Sequence, residues 1–577
     1  MDGGPLENKT SVFAHIEQGL QNNPHGAAVV CMHQSADHLG HLVPADEEAE
    51  VGPHRADCLS WTYTQLHGAA HKLVAGMTAN NVEAESTMLV LIPNGVEYAL
   101  LLWACELLRL TFVSVDPALL QESSREYLKA TLGAVAPSLV VVHDPLGSNA
   151  VDAALGQLPR LAKPLLRIAL DSSLPGWISL VDLALNASTR TPSLPEQRLL
   201  EEAARNDNPD RIHSIMFTSG TSGRPKGCPQ PVRGMTHVLH SQAWLINQEN
   251  CSIRALQQAH NSRGIAPAQT LQTWREGGAV VLSSDGGFSV DDMATAISHY
   301  RVTFIVLTPA MVHGMAHRLS VSPFPVDCVQ TVQIGGDAVT KDSLSRCAAL
   351  FPMARICVNH GMTEGGGAFT WQPFLNTPLE QIPFFGETCP VGIVAPGAIV
   401  RIWDADRRQA VLRGQSGELH VCCGSVIPGY LHGVSASSFY EDTKGRWFNT
   451  GDIAMMNADG LVFILGRRKD MITCNGVAIM PAALESCVEK LTGQQASVVS
   501  APHPTMGQEP VVVVRDFDGV LDREDIQRHV EQRFGRDYAR GTILSLQEIG
   551  LDQFPVNATH KLVKHELEAA VRAHLRV

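Results

Sequence analysis

Short apolar runs rich in β-branched residues recur along the chain, each closed by Pro, Gly or Asp, and longer apolar stretches lie between them. Residues 86–95 (STMLVLIPNG) predict a strand ended by Pro-Asn-Gly. Residues 96–110 (VEYALLLWACELLRL) predict a buried helix, and 111–117 (TFVSVDP) another strand. Residues 139–145 (LVVVHDP), 304–309 (FIVLTP) and 331–337 (TVQIGGD) repeat the strand pattern. Buried strands separated by helices predict parallel sheets of an α/β fold, which place ligands at the carboxyl ends of their strands.

The texture changes near residue 390. Residues 417–430, 445–457 and 460–468 read as short strands between Gly and Asp turns, a small β-rich subdomain over about 390–465. From Gly466 a separate α+β module is expected. It has a strand, an Asn475-Gly476 hairpin turn, a helix entered at Pro481, and strands at 496–500 and 510–517. Asp522 is placed to cap a helix whose Ile526, Val530 and Phe534 share one face, and Gly535 to stop it. The expected organisation is thus a large N-terminal domain, 1–465, of stacked and mostly parallel sheets with helices plus the β-rich subdomain. A small, mobile α+β C-terminal domain, 466–577, follows.

Composition narrows the classes. The 577 residues carry 44 basic and 58 acidic side chains, a formal charge of −14, which disfavours a nucleic-acid partner. The most apolar run, 98–120, is broken by Glu106, Arg109 and Asp116, so stable membrane insertion is not expected. The 13 cysteines include no Cys-x-x-Cys pair, and the N-terminus shows no secretory pattern, so a reduced cytoplasmic protein is expected. The 24 histidines read as scattered, without metal-ligand spacing.

The strongest chemical feature is Thr218-Ser219-Gly220-Thr221-Ser222-Gly223-Arg224-Pro225-Lys226-Gly227, directly after the strand-like run from Ile212. Backbone N–H groups and hydroxyls on such a loop can wrap phosphate oxygens, with Lys226 supplying charge. It is not a Walker A loop, because Gly227 and not a hydroxyl residue follows the lysine. Five further segments stand in order: Gly335-Gly336-Asp337, Gly361-Met362-Thr363-Glu364, Asn449-Thr450-Gly451-Asp452, Gly466-Arg467-Arg468-Lys469-Asp470, and Pro555 to Leu562.

Together these six segments resemble the signature motifs of the adenylate-forming (AMP-binding) enzymes, and most of all the acyl-CoA synthetases, from about Thr62 to Leu567. The resemblance implies an acid–thiol ligase using ATP, Mg²⁺ and CoA. The carboxylic acid becomes an acyl-AMP and then a thioester. By the same resemblance Ser219 to Gly223, with Thr218 and Lys226, would hold the phosphates. Gly335, Gly336, Asp337, His360, Gly361 and Met362 would line the adenine, and Asp452 and Arg467 the ribose. Glu364 would hold Mg²⁺ beside Thr363, and Lys561 would bridge carboxylate and phosphate in the transition state, with Lys564 as the alternative lysine. Lys469 matches the hinge, and Gly476 the position where the pantetheine arm of CoA approaches.

Two positions depart from the family pattern. His360 replaces the usual aromatic residue on adenine, and His560 the usual glycine before the catalytic lysine. The acyl pocket is expected around His260, Arg263, Gly365 and Gly366. The run Gly365-Gly366-Gly367 either leaves room for a bulky or long acyl group or is a mobile loop. Amino-acid-activating relatives carry an Asp for the α-amino group where this chain has His260-Asn261-Ser262-Arg263, so a fatty or aromatic acid is expected. Two alternatives stand: an acyl-AMP ligase loading a separate phosphopantetheinyl carrier protein, and a non-catalytic nucleotide-binding homologue.

Overall fold

A computed structural model describes residues 1–6, 11–43, 58–158, 164–171, 173–185, 193–218, 226–246, 252–283, 289–433, 435–517, 521–556 and 562–577. Two seven-stranded sheets form the bulk of the fold. In the first, Ile178–Ser179, Leu166–Ala169, Leu139–Val142, Thr87–Leu91, Thr111–Ser114 and Ile212–Thr218 run parallel, and Lys226–Pro231 closes the edge antiparallel. The second runs Arg355–Asn359, Thr331–Gly335, Phe304–Leu307, Arg254–Gln257, Ala279–Leu282 and Ala27–Cys31 in parallel, with Leu59–Thr62 antiparallel at its edge.

Strand side chains alternate in direction, so each sheet feeds two cores. Met88 and Val90 join Val280 and Leu282 in one core, shared with the helices Tyr63–Ala79 and Val96–Leu108 between the sheets. Leu89 and Leu91 face the opposite way, onto the helices Arg125–Val135 and Pro145–Leu155. Ala279 and Val281 likewise face the helices Val290–Ser298, Pro309–Val321 and Lys341–Leu350. The result is five alternating layers of helix and sheet. Every residue of Val96–Leu108 is buried, which explains its apolarity on all sides. Burying one such leucine contributes roughly 1.5–3 kcal/mol. The buried Glu106 of this helix is paired with His213 at 2.6 Å. No helix among the described residues is long and apolar enough to cross a membrane.

An eight-stranded antiparallel sheet follows, from Phe369–Thr370 to Val462–Arg467, so the β-rich region begins some twenty residues earlier than its turn pattern predicts. A single turn of 3₁₀ helix, Arg468–Asp470, leads into a five-stranded sheet. There Ile472–Cys474 and Val477–Ile479 form a hairpin whose turn places Asn475 and Gly476 at φ 52° and 77°. Asn-Gly suits this left-handed pair of turn positions. Asp522 caps Arg523–Phe534 through the Asp525 N–H at 2.9 Å, and Gly535 ends it at φ 89°.

Candidate active site

The carboxyl ends of two parallel strands, at Thr308 and Asp337, meet the antiparallel sheet at Arg467 and the C-terminal module at Lys564 around one cleft. Thr218 ends one strand and Lys226 opens its antiparallel neighbour, directly opposite. Ser219, Gly220, Thr221, Ser222 and Gly223 fall between them and lie outside the described residues. The Lys226 ammonium donates to Ser435 Oγ at 2.8 Å and stands 4.8 Å from the centre of the Tyr430 ring. The Tyr430 hydroxyl donates to Glu364 Oε1 at 2.7 Å. One aromatic residue therefore joins the phosphate-loop lysine to the Gly-Met-Thr-Glu carboxylate, by a cation–π contact on one side and a charge-assisted hydrogen bond on the other. Burial and the Glu364 charge push the Tyr430 phenol up, so it remains a donor at neutral pH. A Cβ on Gly227 would lie 2.6 Å from Leu431 Cδ1, so glycine there lets the Tyr430 segment close on the hairpin.

The second cluster surrounds Asp452. Its strand, Gly445–Met456, pairs with Val462–Arg467 in a register that sets Asp452 opposite Arg467. Arg467 Nε reaches Asp452 Oδ1 at 2.9 Å, and Nη1 donates to the Thr450 carbonyl at 3.0 Å. His360 Nε2 stands 3.6 Å from the other oxygen, and its ring meets Phe369 edge-to-face at 5.5 Å. Burial would raise the Asp452 carboxyl, but His360, Arg467 and the Thr450 hydroxyl outweigh it and hold it below the ordinary carboxylate value. An ionised carboxylate, an acceptor only, thus stands between Arg467 and His360.

Beside it, Gly335 pairs with Asn359, and a Cβ on Gly335 would lie 2.2 Å from the Asn359 carbonyl oxygen. Gly336 turns the chain at φ 84°, leaving Asp337 exposed. Gly361 is exposed, and Met362 packs on the core of the antiparallel sheet. Thr363 Oγ1 would lie 3.6 Å from a Cβ on Gly264, which brings the Thr363-Glu364 segment against the Arg263-Gly264 turn.

In the expected acyl pocket, His260 and the glycine run have structural partners. His260 is buried with both ring nitrogens engaged, Nδ1 with Ser262 Oγ at 2.8 Å and Nε2 with the Ile92 carbonyl at 3.2 Å. Together with Asn261 Nδ2, 3.1 Å from the same carbonyl, it ties the two parallel sheets together, and burial lowers its pKa. Two glycines of the run are closely packed as well. A Cβ on Gly365 would lie 3.2 Å from Val426 Cα, on Gly366 3.4 Å from Val238 Cγ2, and on Gly367, at φ 74°, 2.2 Å from Ser241 Oγ. Close packing accounts for Gly365 and Gly367, while a Cβ on Gly366 would make only an ordinary contact. Arg263 is half-buried and pairs with Asp116 at 3.3 Å.

The C-terminal module forms one wall of a cleft. Asp337 and Arg467 line it from one side, Asp470, Glu485, Leu562 and Lys564 from the other. His560 and Lys561 lie outside the described residues, and Leu562, the next in sequence, lines the cleft. Lys564 donates to Glu485 Oε1 at 2.7 Å and to the Val498 carbonyl at 3.3 Å, within its own module. Burial pulls its pKa down, but the carboxylates of Glu485, Asp337 and Asp470 outweigh this and hold it above the ordinary lysine value. The alternative lysine is thus engaged in structure. Lys469 is exposed, with its ammonium 4.0 Å from Asp470. A Cβ on Gly476 would meet nothing within 4 Å, so the turn alone requires that glycine here. The module docks on the large domain through Arg533 on the buried Glu387 and through His313, 3.8 Å from Glu489.

The motifs do not reveal Tyr430, Ser435 or the buried Glu418, which binds Asn449 Nδ2 at 2.9 Å and pairs with Arg468. The only sequence signal for Tyr430 is an aromatic residue directly after the Pro428-Gly429 turn.

The family model of the AMP-binding enzymes matches residues 44–431, more than half of the chain. Over its whole length the chain is 49% identical to an acyl–CoA ligase of Pestalotiopsis microspora, covering 98% of that protein. It is also 22% identical to 4-coumarate–CoA ligase 2 of Nicotiana tabacum, over 89% of this chain and 90% of the relative. Among solved structures, ATP-bound MatB from Rhodopseudomonas palustris shares the fold at a TM-score of 0.74 and 18% identity, over 99% of this chain and 100% of that one. The chain belongs to the AMP-binding enzyme family. Within it the chain is of the acyl-CoA synthetase type, an acid–thiol ligase.

Proposed function

We propose that this chain uses ATP to convert a fatty or aromatic acid to its acyl-AMP and then to the CoA thioester. The observation that carries this reading is the pairing of two clusters through one short segment. His360 belongs to the Asp452–Arg467 cluster, and Glu364, four residues on, to the Lys226–Tyr430 cluster. An acceptor-only carboxylate suits two ribose hydroxyls, and a lysine with a carboxylate suits a metal-bound polyphosphate.

In the first step a carboxylate oxygen of the acid attacks the α-phosphorus, and the P–O bond to pyrophosphate breaks. Two anions must meet, so cations lower the barrier. Lys226 would hold the phosphates of ATP and Lys561 bridge the reacting oxygens. The residues present fit Mg²⁺, which commonly takes one or two protein carboxylates and completes its shell with phosphate and water. Glu364, oriented by Tyr430, is the carboxylate that would hold it. Bound there, the ion supplies Lewis-acid polarisation of the phosphates. In the second step the thiol of CoA gives up its proton to solvent, its sulfur attacks the acyl carbon, the acyl–phosphate bond breaks, and AMP leaves with the electron pair. The C-terminal module, turning about Lys469, would withdraw Lys561 and admit the thiol.

An amino acid is disfavoured, because the stretch His260 to Arg263 holds no carboxylate and the neighbouring Asp116 is engaged by Arg263. The aromatic substrate in the name of the 4-coumarate relative supports an aromatic acid here. Mass spectrometry of reaction mixtures tests the proposal. Acyl-AMP should accumulate without a thiol and give way to acyl-CoA when CoA is added. Transfer to a holo carrier protein but not to CoA would replace CoA as the acceptor.

A further inference from the structure

Far along the chain from the motifs, His67 and His71 stand four residues apart on the helix Tyr63–Ala79. Read in sequence they pass as two of many scattered histidines. On a helix that spacing puts both rings on one face, one turn apart, as in helical zinc sites. The rings meet edge-to-face at 4.6 Å, and both turn Nε2 toward a single oxygen of Glu201, on the helix Leu194–Arg205. His67 Nε2 and His71 Nε2 each lie 3.2 Å from Glu201 Oε1. In a tetrahedral zinc site with bonds of about 2.0–2.2 Å, neighbouring ligand atoms are about 3.3 Å apart. The two histidine–carboxylate edges already have that length.

We propose that His67, His71 and Glu201 form a binding site for a divalent transition-metal ion of the Zn²⁺ class, separate from the nucleotide site. Two imidazoles and one carboxylate are the donor set that suits Zn²⁺ and excludes Mg²⁺, which prefers oxygen alone. Glu201 is held in place from behind. Its Oε2 accepts from Arg205 Nη2 at 3.2 Å, and Arg205 is fixed in turn by Glu17. His71 is buried while His67 and Glu201 are part-exposed, which gives a bound ion a path in and a water as fourth ligand.

The site lacks one usual feature. Neither Nδ1 has a hydrogen-bond partner among the described residues. Metal-bound imidazoles normally donate that N–H to an acceptor, and losing the acceptor weakens binding about 10–100-fold. The ion is therefore expected to exchange, acting as a removable clasp between two helices rather than as a permanent part of the fold.

The test is titration of the metal-stripped full chain with Co²⁺ and Zn²⁺, beside His67→Gln and Glu201→Gln. Circular dichroism and thermal unfolding confirm that each variant is folded. One equivalent of Co²⁺ should give the intense visible absorption of four-coordinate cobalt, displaced by Zn²⁺. Affinity should fall at least tenfold in each variant, and Zn²⁺ should raise the unfolding temperature of the parent only. Absence of a one-equivalent transition, or one unchanged in both variants, would overturn the site.

Discussion

Replacing Asp452 by asparagine tests the nucleoside cluster most sharply. The carboxylate is buried, with Arg467 at 2.9 Å on one oxygen and His360 at 3.6 Å from the other. If it accepts the two ribose hydroxyls, each bond is charge-assisted and contributes roughly 1.5–3 kcal/mol. Asparagine keeps one neutral acceptor and turns the other position into a donor, facing donors. At least one charged bond is lost, so the KM for ATP should rise about 10–150-fold. Arg467 is half-exposed, so its unpaired guanidinium adds little to the loss. The assay is ATP–pyrophosphate exchange with ATP and with 2′- and 3′-deoxy-ATP. The variant's penalty should shrink with the analogues, because the bond it removes is absent there too. An equal penalty for ATP and both deoxy nucleotides would show that Asp452 holds the protein together and not the ribose.

Two further outcomes separate structure from chemistry. Lys561→Ala should lower the adenylation rate about 10²–10³-fold, the typical effect of removing one preorganised donor. Lys564→Ala should instead lower the urea midpoint of unfolding, because Glu485 loses its partner, with a much smaller effect on rate. Glu489 tests docking through pH. Burial, with Glu485 and Asp342 adding to it, raises its carboxyl to about 8 against the opposing Ala496 N–H and Arg346, and His313 faces it at 3.8 Å. A raised acid pKa means that the folded chain holds a proton which the unfolded chain releases. Stability therefore falls as pH rises from about 4.5 to about 8, by at most roughly 5 kcal/mol. Glu489→Gln should flatten that fall in urea unfolding followed across the same range.

The layered sheets are legible in sequence because buried strands leave short apolar runs ended by turn residues, as at Thr87–Leu91 and Thr331–Gly335. The start of the antiparallel sheet is not. Phe369–Thr370 is too short to show a period and is a strand only because it pairs with Pro390–Val394. The site motifs give residue types in order but not their partners. His360 looks like a substitute aromatic ring, whereas its place beside Asp452 depends on the two sheets coming together. Tyr430 belongs to no motif and owes its position to the turn packed on Gly227. Gly365 and Gly367 are ambiguous because an absent side chain looks the same in sequence whether the space is open or filled by Val426 and Ser241. His67 and His71 have a readable spacing, but the Glu201 that gives it meaning comes from a helix more than a hundred residues on.

Pyrophosphate release with ATP and Mg²⁺, across fatty, aromatic and amino acids and with and without CoA, tests the proposed reaction most directly. Release should require a fatty or aromatic acid, rise when CoA is added, and collapse in Lys561→Ala. Acid-dependent release that CoA leaves unchanged, or an amino acid as the preferred substrate, would contradict an acyl-CoA ligase of the kind proposed.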